Sequence, residues 1–224
     1  MVNLQLTKKD VFRVARRTVE ALYAVGYTRC CLFGSAACCK IWGNASSRVP
    51  GDLDIVVFTN DDPEIIKEAL EYTHGRFYRV DGRDGPYKVL WYLIRQSPEL
   101  KIKIDILIPG KKKPLGIPHI PSRDIWFYDN LPVMPILPLL ILKVQGWRDH
   151  RRSRKYWHRW KEPQDVEDIE MLLSMVDDND ALRNYGWLHS KWFMRKANEL
   201  IETYVDKFPN SSYAWGSIGF DVYY

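Results

Sequence analysis

A chain of 224 residues, 46% hydrophobic and 27% charged, is long enough to bury a core, and its ordinary composition excludes a disordered or fibrous polypeptide. No apolar run approaches the roughly 18 residues that a membrane span requires. The opening Met1-Val2-Asn3-Leu4 leads into a charged amphipathic pattern rather than a secretory signal, so the expectation is a cytoplasmic protein with no membrane partner, a nuclear one staying open.

The elements follow in chain order. Thr7 reads as an N-cap with Asp10 in the first turn, and Val11, Val14, Ala15, Val19, Leu22 and Val25 follow at helical spacing until Gly26 stops the helix. Residues 30–33 make a short apolar strand, Gly34-Ser35 turns the chain, and 36–42 continue as a helix. The Gly/Asn/Ser/Pro stretch 43–51 is a loop. Residues 52–58 form a strand rich in β-branched side chains, and 63–72 a helix with proline in its first turn. Strands at 76–80 and 87–94 flank a Gly-rich turn. Residues 101–108 alternate, with Ile102, Ile104, Ile106 and Ile108 on one face and Lys101, Lys103 and Asp105 on the other. Lysines and prolines break the pattern at 109–114. Beyond a Pro-punctuated segment, helices are expected at 136–147, 163–175 and 189–207. There is no internal repeat and no low-complexity tract. This order describes an α/β core domain over 1–118 followed by a helical domain over 119–224.

Some residue types are set aside. Cys30-Cys31 and Cys38-Cys39 are adjacent pairs without zinc-ligand spacing and read as small buried residues. His74, His119 and His189 are scattered. The nine Trp and thirteen Tyr serve either a core or a stacking surface, and the Trp residues outside 148–161 read as core.

The chemistry begins at Asp52-Leu53-Asp54. Residues two apart on a strand share a face, so the two carboxylates point together while Leu53, Ile55 and Val57 face a core. Carboxylates held this close repel unless a cation lies between them, and Mg²⁺ takes oxygen ligands that it often shares with phosphate. Asp105, on the polar face of its own strand, adds a third carboxylate if the strands adjoin, enough for a two-metal site. Gly34-Ser35 opens a helix after an apolar strand, where N–H groups and the helix dipole favour phosphate and glycine permits close approach.

Phe33-Gly34-Ser35, Asp52-Leu53-Asp54-Ile55-Val56 and Ile104-Asp105-Ile106, in that order, resemble the pattern of the DNA polymerase β-type nucleotidyltransferase superfamily. The sixteen residues between Ser35 and Asp52 are more than most members have, and the extra length falls in the polar loop, where insertions cost little. The second half looks like the late motifs of the abortive-infection toxin-type nucleotidyltransferases. There a helical lysine, here Lys143, precedes an Arg-rich stretch and a Lys-Asp-x-x-Asp motif. In this chain that motif is Asp165-Val166-Glu167-Asp168, with Gln164 in place of the lysine and Lys161 nearby.

The resemblance implies a nucleotidyltransferase fold, a mixed β-sheet flanked by helices. It also implies transfer of a nucleoside monophosphate from an NTP to an acceptor hydroxyl, with pyrophosphate released. Asp52, Asp54 and Asp105 would be the catalytic and metal-binding residues for two Mg²⁺ or Mn²⁺ ions, and Gly34, Ser35 and Lys143 would bind the nucleotide. Asp165 or Asp168 would support the site, although helix N-terminal charge stabilisation accounts for Asp165 as well.

The net charge of +5 is concentrated in residues 148–161, which hold five Arg, two Lys and one Asp, a net of +6 that leaves the rest of the chain near −1. There Arg148, Arg151, Arg152, Arg154, Lys155 and Arg159 interleave with Tyr156, Trp157 and Trp160, which suits a polyanion such as RNA or the donor triphosphate. The acceptor stays open among an RNA end, a protein and a small molecule. The competing interpretation is a non-catalytic protein of the same fold that binds RNA or a protein partner.

Overall fold

Local capping sets where the chain first becomes helical. The computed structural model describes residues 5–83 and 85–222; the opening tetrapeptide and Asp84, within the expected Gly-rich turn, lie outside them. Helix α1 (Lys8–Ala24) starts at a capping box, in which the Thr7 hydroxyl accepts from the Asp10 N–H and the Asp10 carboxylate accepts from the Thr7 N–H. Its inner face carries Val11, Val14, Ala15, Val19 and Leu22, all buried. Thr18 is buried beside them and donates to the Val14 carbonyl at 2.9 Å, so that no polar group is stranded on this face.

The chain forms two compact units, one comprising the described residues up to Pro109 together with Ser122–Met134, the other Gly110–Pro121 with the described residues from Pro135 onward. In the first unit β1 (Cys30–Phe33), α2 (Gly34–Trp42), β2 (Asp52–Val57), α3 (Pro63–Thr73), β3 (Phe77–Asp81), β4 (Lys88–Arg95) and β5 (Leu100–Leu107) follow α1. Two short strands, β6 (Trp126–Tyr128) and β7 (Leu131–Val133), complete a seven-stranded sheet in the order β3-β4-β5-β2-β1-β7-β6. β2 runs parallel to β5 and β1 parallel to β7, while the other neighbours are antiparallel. The sheet is therefore mixed and flanked by helices, with α1 and α3 packed on each other.

Burial along the two central strands alternates. Leu53, Ile55, Ile102 and Ile104 are fully buried, whereas Asp52, Asp54, Lys103 and Asp105 are half-buried on the other face. The α3 cap is Asp62, whose carboxylate accepts from the Glu64 N–H at 2.8 Å, with Pro63 in the first turn.

The hairpin β6–β7 lies in the segment where sequence patterning shows only prolines. Tyr128 pairs with Leu131, leaving the two-residue turn Asp129-Asn130 with φ of 48° and 62°, a geometry that matches the twist of paired strands. Arg16 donates to the Asp129 carbonyl at 3.3 Å, and Lys40 pairs with its carboxylate. Three-residue strands are too short to show alternation, and Pro132 argues against a strand. The Asp-Asn pair between Tyr128 and Leu131 is the available signal.

The second unit is helical: α4 (Ile136–Arg152), α5 (Tyr156–Arg159), α6 (Glu162–Met175), α7 (Lys191–Lys207) and α8 (Ser212–Ser217). α4 packs against α6 and α7 and is buried almost without break from Ile136 to Gln145, which is why it lacks a clear amphipathic period. It extends to Arg152, so the first third of the basic stretch is helical. Trp147 meets Tyr204 edge-on at 5.0 Å between ring centroids, and Tyr204 stands 6.2 Å from Trp215; all three are fully buried and form an aromatic core. Lys196 donates to the carbonyls of Leu115 and Gly116 at 2.6 and 3.1 Å, tying down the Pro- and Lys-rich segment that precedes the hairpin. Burial, with help from the charge of Arg148 and against that of Asp149, pulls the Lys196 pKa down to about 8. Among the described residues no helix is long and apolar enough to cross a membrane.

Candidate active site

Register on two strands builds the centre of the site. β2 and β5 pair in parallel with Asp52 opposite Lys103 and Asp54 opposite Asp105. Register partners on parallel neighbours share a face, as do residues two apart on one strand. Four side chains, three carboxylates and one ammonium, thus form a square on the polar side of the sheet. Strand spacing puts Asp54 and Asp105 on backbones about 4.8 Å apart. Lys103 Nζ bridges to Asp105 Oδ2 at 2.7 Å. Burial draws the Lys103 pKa down, but the hydrogen bond from Asp105 and the charges of Asp105, Asp52 and Asp54 outweigh it and hold the group above the usual lysine value.

The turn beside the square is shaped by Asp54. β1 pairs antiparallel with β2, placing Phe33 opposite Asp54, and the chain enters α2 at Gly34 with φ of 59°. A Cβ on Gly34 would overlap Asp54 Oδ2. Glycine is therefore required twice, for a left-handed backbone and for the approach of the carboxylate. The α2 N-terminus has no side-chain cap, which leaves first-turn N–H groups and the positive end of the dipole at this place. Ser35, in that first turn, accepts from Arg48 Nη2 at 2.8 Å.

Arg48 is a site residue that sequence patterning does not reveal. It is the single charged residue of the loop 43–51, and that isolation in a polar stretch is the only signal it gives. The loop is anchored rather than slack. Lys8 donates to the carbonyls of Gly43, at 2.9 Å, and Ser46. The Arg48 N–H donates to Ser46 Oγ at 3.1 Å, and the Cys39 thiol donates to the Arg48 carbonyl at 3.6 Å.

Lys143 belongs to the helical unit. Its ammonium meets Asp168 Oδ2 at 2.6 Å, and Asp168 is fully buried. Gln164 donates to the other Asp168 oxygen at 3.4 Å. Asp165, three residues earlier on α6, takes His150 Nδ1 at 2.6 Å. Two residues seven apart on α4 thus meet two residues three apart on α6, with the order reversed as antiparallel helices require. His150 is hidden in the sequence by the basic run around it, and Asp165 spends its carboxylate on that imidazole although it also sits in the first turn.

The chain has counterparts among known proteins. Residues 21–210 match the family model described as nucleotidyl transferase AbiEii toxin, type IV TA system. The chain belongs to this family. Nucleotidyl transfer is accordingly its class of activity. No curated protein matches the chain in sequence. Among solved structures, an antigenic nucleotidyltransferase-like protein from Paracoccidioides brasiliensis is similar with a TM-score of 0.66 at 14% identity, covering 95% of this chain and 94% of the other. JHP933 from Helicobacter pylori is similar with a TM-score of 0.54 at 12% identity, covering 95% of this chain and 80% of the other. At such identities the likeness shows a shared nucleotidyltransferase-like α/β fold.

In this AbiEii-family chain the oxygen-only donor set of Asp52, Asp54 and Asp105 suits a hard divalent cation, and the side-chain-free Gly34 lets the Asp54 carboxylate lie against the turn. Among the described residues no three His, Cys, Asp or Glu side chains stand close enough to one another to enclose a metal ion. The cysteines are buried, and burial pushes the Cys30 thiol up to about 12, which keeps it protonated and unreactive near neutral pH.

The basic stretch lies within the helical unit. Arg148, Arg151 and Arg152 line a cavity of about 440 Å³ together with Trp147, Thr203, Asp206 and Lys207. Beyond it, Tyr156, Trp157 and Trp160 are 54%, 50% and 75% exposed, among Arg154, Lys155 and Arg159.

The double demand at Gly34 gives a direct test. Gly34→Ala forces a left-handed alanine, at about 1–2 kcal/mol, and drives a methyl into Asp54. A fall in melting temperature of about 2–4 °C per kcal/mol is expected, and an unchanged melting curve would show that the turn tolerates a side chain.

Proposed function

We propose that the protein transfers a nucleoside monophosphate from an NTP to the hydroxyl of an RNA acceptor and releases pyrophosphate. The observation that carries this is the square on β2 and β5, with Asp52, Asp54 and Asp105 on one face beside the Gly34-Ser35 turn. The triphosphate lies against the first-turn N–H groups of α2, with Ser35 oriented by Arg48. Bound Mg²⁺ or Mn²⁺, two ions on the resemblance, would supply charge stabilisation for the attacking and leaving oxygens. The acceptor oxygen bonds to the α-phosphorus as the bond to the β-phosphate bridging oxygen breaks. The hydroxyl proton passes to Asp105.

Asp52→Asn, Asp54→Asn and Asp105→Asn keep side-chain size and remove the charge. Each is expected to lose most transfer of an α-labelled NTP into product while circular dichroism stays that of the folded chain. Retained labelling in all three would remove the assignment.

The role that the resemblance gives Lys143, binding the triphosphate, is a separate proposal. Lys143→Gln keeps a donor for the buried Asp168 and drops the positive charge. A rise in the KM for NTP of about tenfold, the worth of a hydrogen bond to a charged group, is expected. An unchanged KM would leave Lys143 as the structural partner of Asp168 alone.

RNA is favoured over a protein or a small molecule because exposed aromatic rings alternate with cations, the combination that stacks bases and neutralises phosphates. When bulk RNA and protein extract are offered together, label is expected in RNA. A triple change of Arg154, Lys155 and Arg159 to Glu should weaken RNA binding and flatten its salt dependence. Label appearing in protein instead would reassign the acceptor.

A further inference from the structure

Three carboxylates on one face of neighbouring strands repel one another, and a positive charge among them relieves the repulsion. The chain supplies one from within the square itself. Lys103 lies opposite Asp52 in register and two residues before Asp105 on the same strand, and its ammonium meets Asp105 Oδ2 at 2.7 Å. We propose that Lys103 is a tethered counter-ion that keeps the carboxylate face assembled without metal and yields Asp105 when a divalent ion binds. The inference rests on reading Asp52, Asp54 and Asp105 as metal ligands.

Two features suit the pair to exchange. It is open to solvent, with the Lys103 side chain 38% exposed and Asp105 32%, so the ammonium recovers hydration when it leaves. A solvated pair of this kind is weak, and a divalent ion brings twice the charge to the same oxygens. The Lys143–Asp168 pair is the contrast, buried on both sides and therefore costly to open. Lys101, next on the same face of β5, pairs with Glu99 and lies outside the square. It provides a control for net charge.

The experiment titrates Mn²⁺ alone, without nucleotide, into wild type, Lys103→Met, Lys103→Arg and Lys101→Met, reading free Mn²⁺ by electron paramagnetic resonance and thermal unfolding with and without Mg²⁺. Lys103→Met is expected to bind Mn²⁺ about fivefold more tightly, the scale of one solvated ion pair. It should also melt lower than wild type without metal, with the gap closing at saturating Mg²⁺. Lys103→Arg and Lys101→Met should bind Mn²⁺ as wild type does, and Lys103→Arg keeps the test intact if the methionine variant fails to fold. In that case, Mn²⁺ affinity of Lys103→Arg differing from wild type no more than that of Lys101→Met supports the proposal, and a marked loss or gain beyond it counts against. Equal Mn²⁺ affinity in wild type and Lys103→Met, or an equal gain in Lys101→Met, would overturn the role of Lys103 and leave the metal site standing. No Mn²⁺ binding to any of the four would overturn the metal reading of the three carboxylates, and the counter-ion role with it.

Discussion

Like-charge repulsion among Asp52, Asp54 and Asp105 is the constraint around which the first unit is organised, and the fold answers it from the opposite side of the same strands. Leu53, Ile55, Ile104 and Ile106 bury the other face of β2 and β5, and that burial pins the register. A slip of one residue between these strands would send Asp105 into the core and Ile104 to the polar face, so several buried apolar side chains oppose any relaxation of the repulsion. Positive charge then enters from within the square at Lys103 and from the dipole of α2 at the Gly34 turn. The site is held together by hydrophobic burial at a distance and by compensating charge close by.

The loop between α2 and β2 shows the same economy. A nine-residue polar segment would ordinarily be a tolerated insertion, but here its backbone is bound by Lys8 from α1 and by Cys39 from α2, and its one charged side chain reaches Ser35. Because Lys8 lies in the first turn of α1, the helix start fixed by the Thr7–Asp10 capping box also sets where Arg48 comes to rest. Changes at the amino-terminal helix therefore propagate to the Gly34-Ser35 turn through two carbonyl hydrogen bonds.

Much of this was legible in sequence, where local chemistry decides the outcome. The Thr7 cap, Pro63 in its first turn and the isoleucine alternation of 101–108 each specify one element without outside help, and they appear where expected. The adjacency of Asp105 to Asp54 was only an expectation, because it depends on β5 inserting between β4 and β2 after the hairpin β3–β4, and strand order is a property of the whole sheet. Arg48 and His150 escaped for a related reason. Each becomes meaningful only through a partner, thirteen residues away for Arg48 and fifteen for His150, and neither partner is indicated by periodicity. The β6–β7 hairpin escaped because three residues are too few to show a period, although its Asp-Asn turn was present in the chain.

The two carboxylate–lysine pairs separate two ways of using the same chemistry. Lys143–Asp168 is buried, so removing either partner would strand a buried charge. Lys103–Asp105 is half-exposed, with Lys103 opposite Asp52, and a solvated pair of this kind opens at little cost. The depth at which each pair is buried, rather than the identity of its residues, sets how costly each is to open.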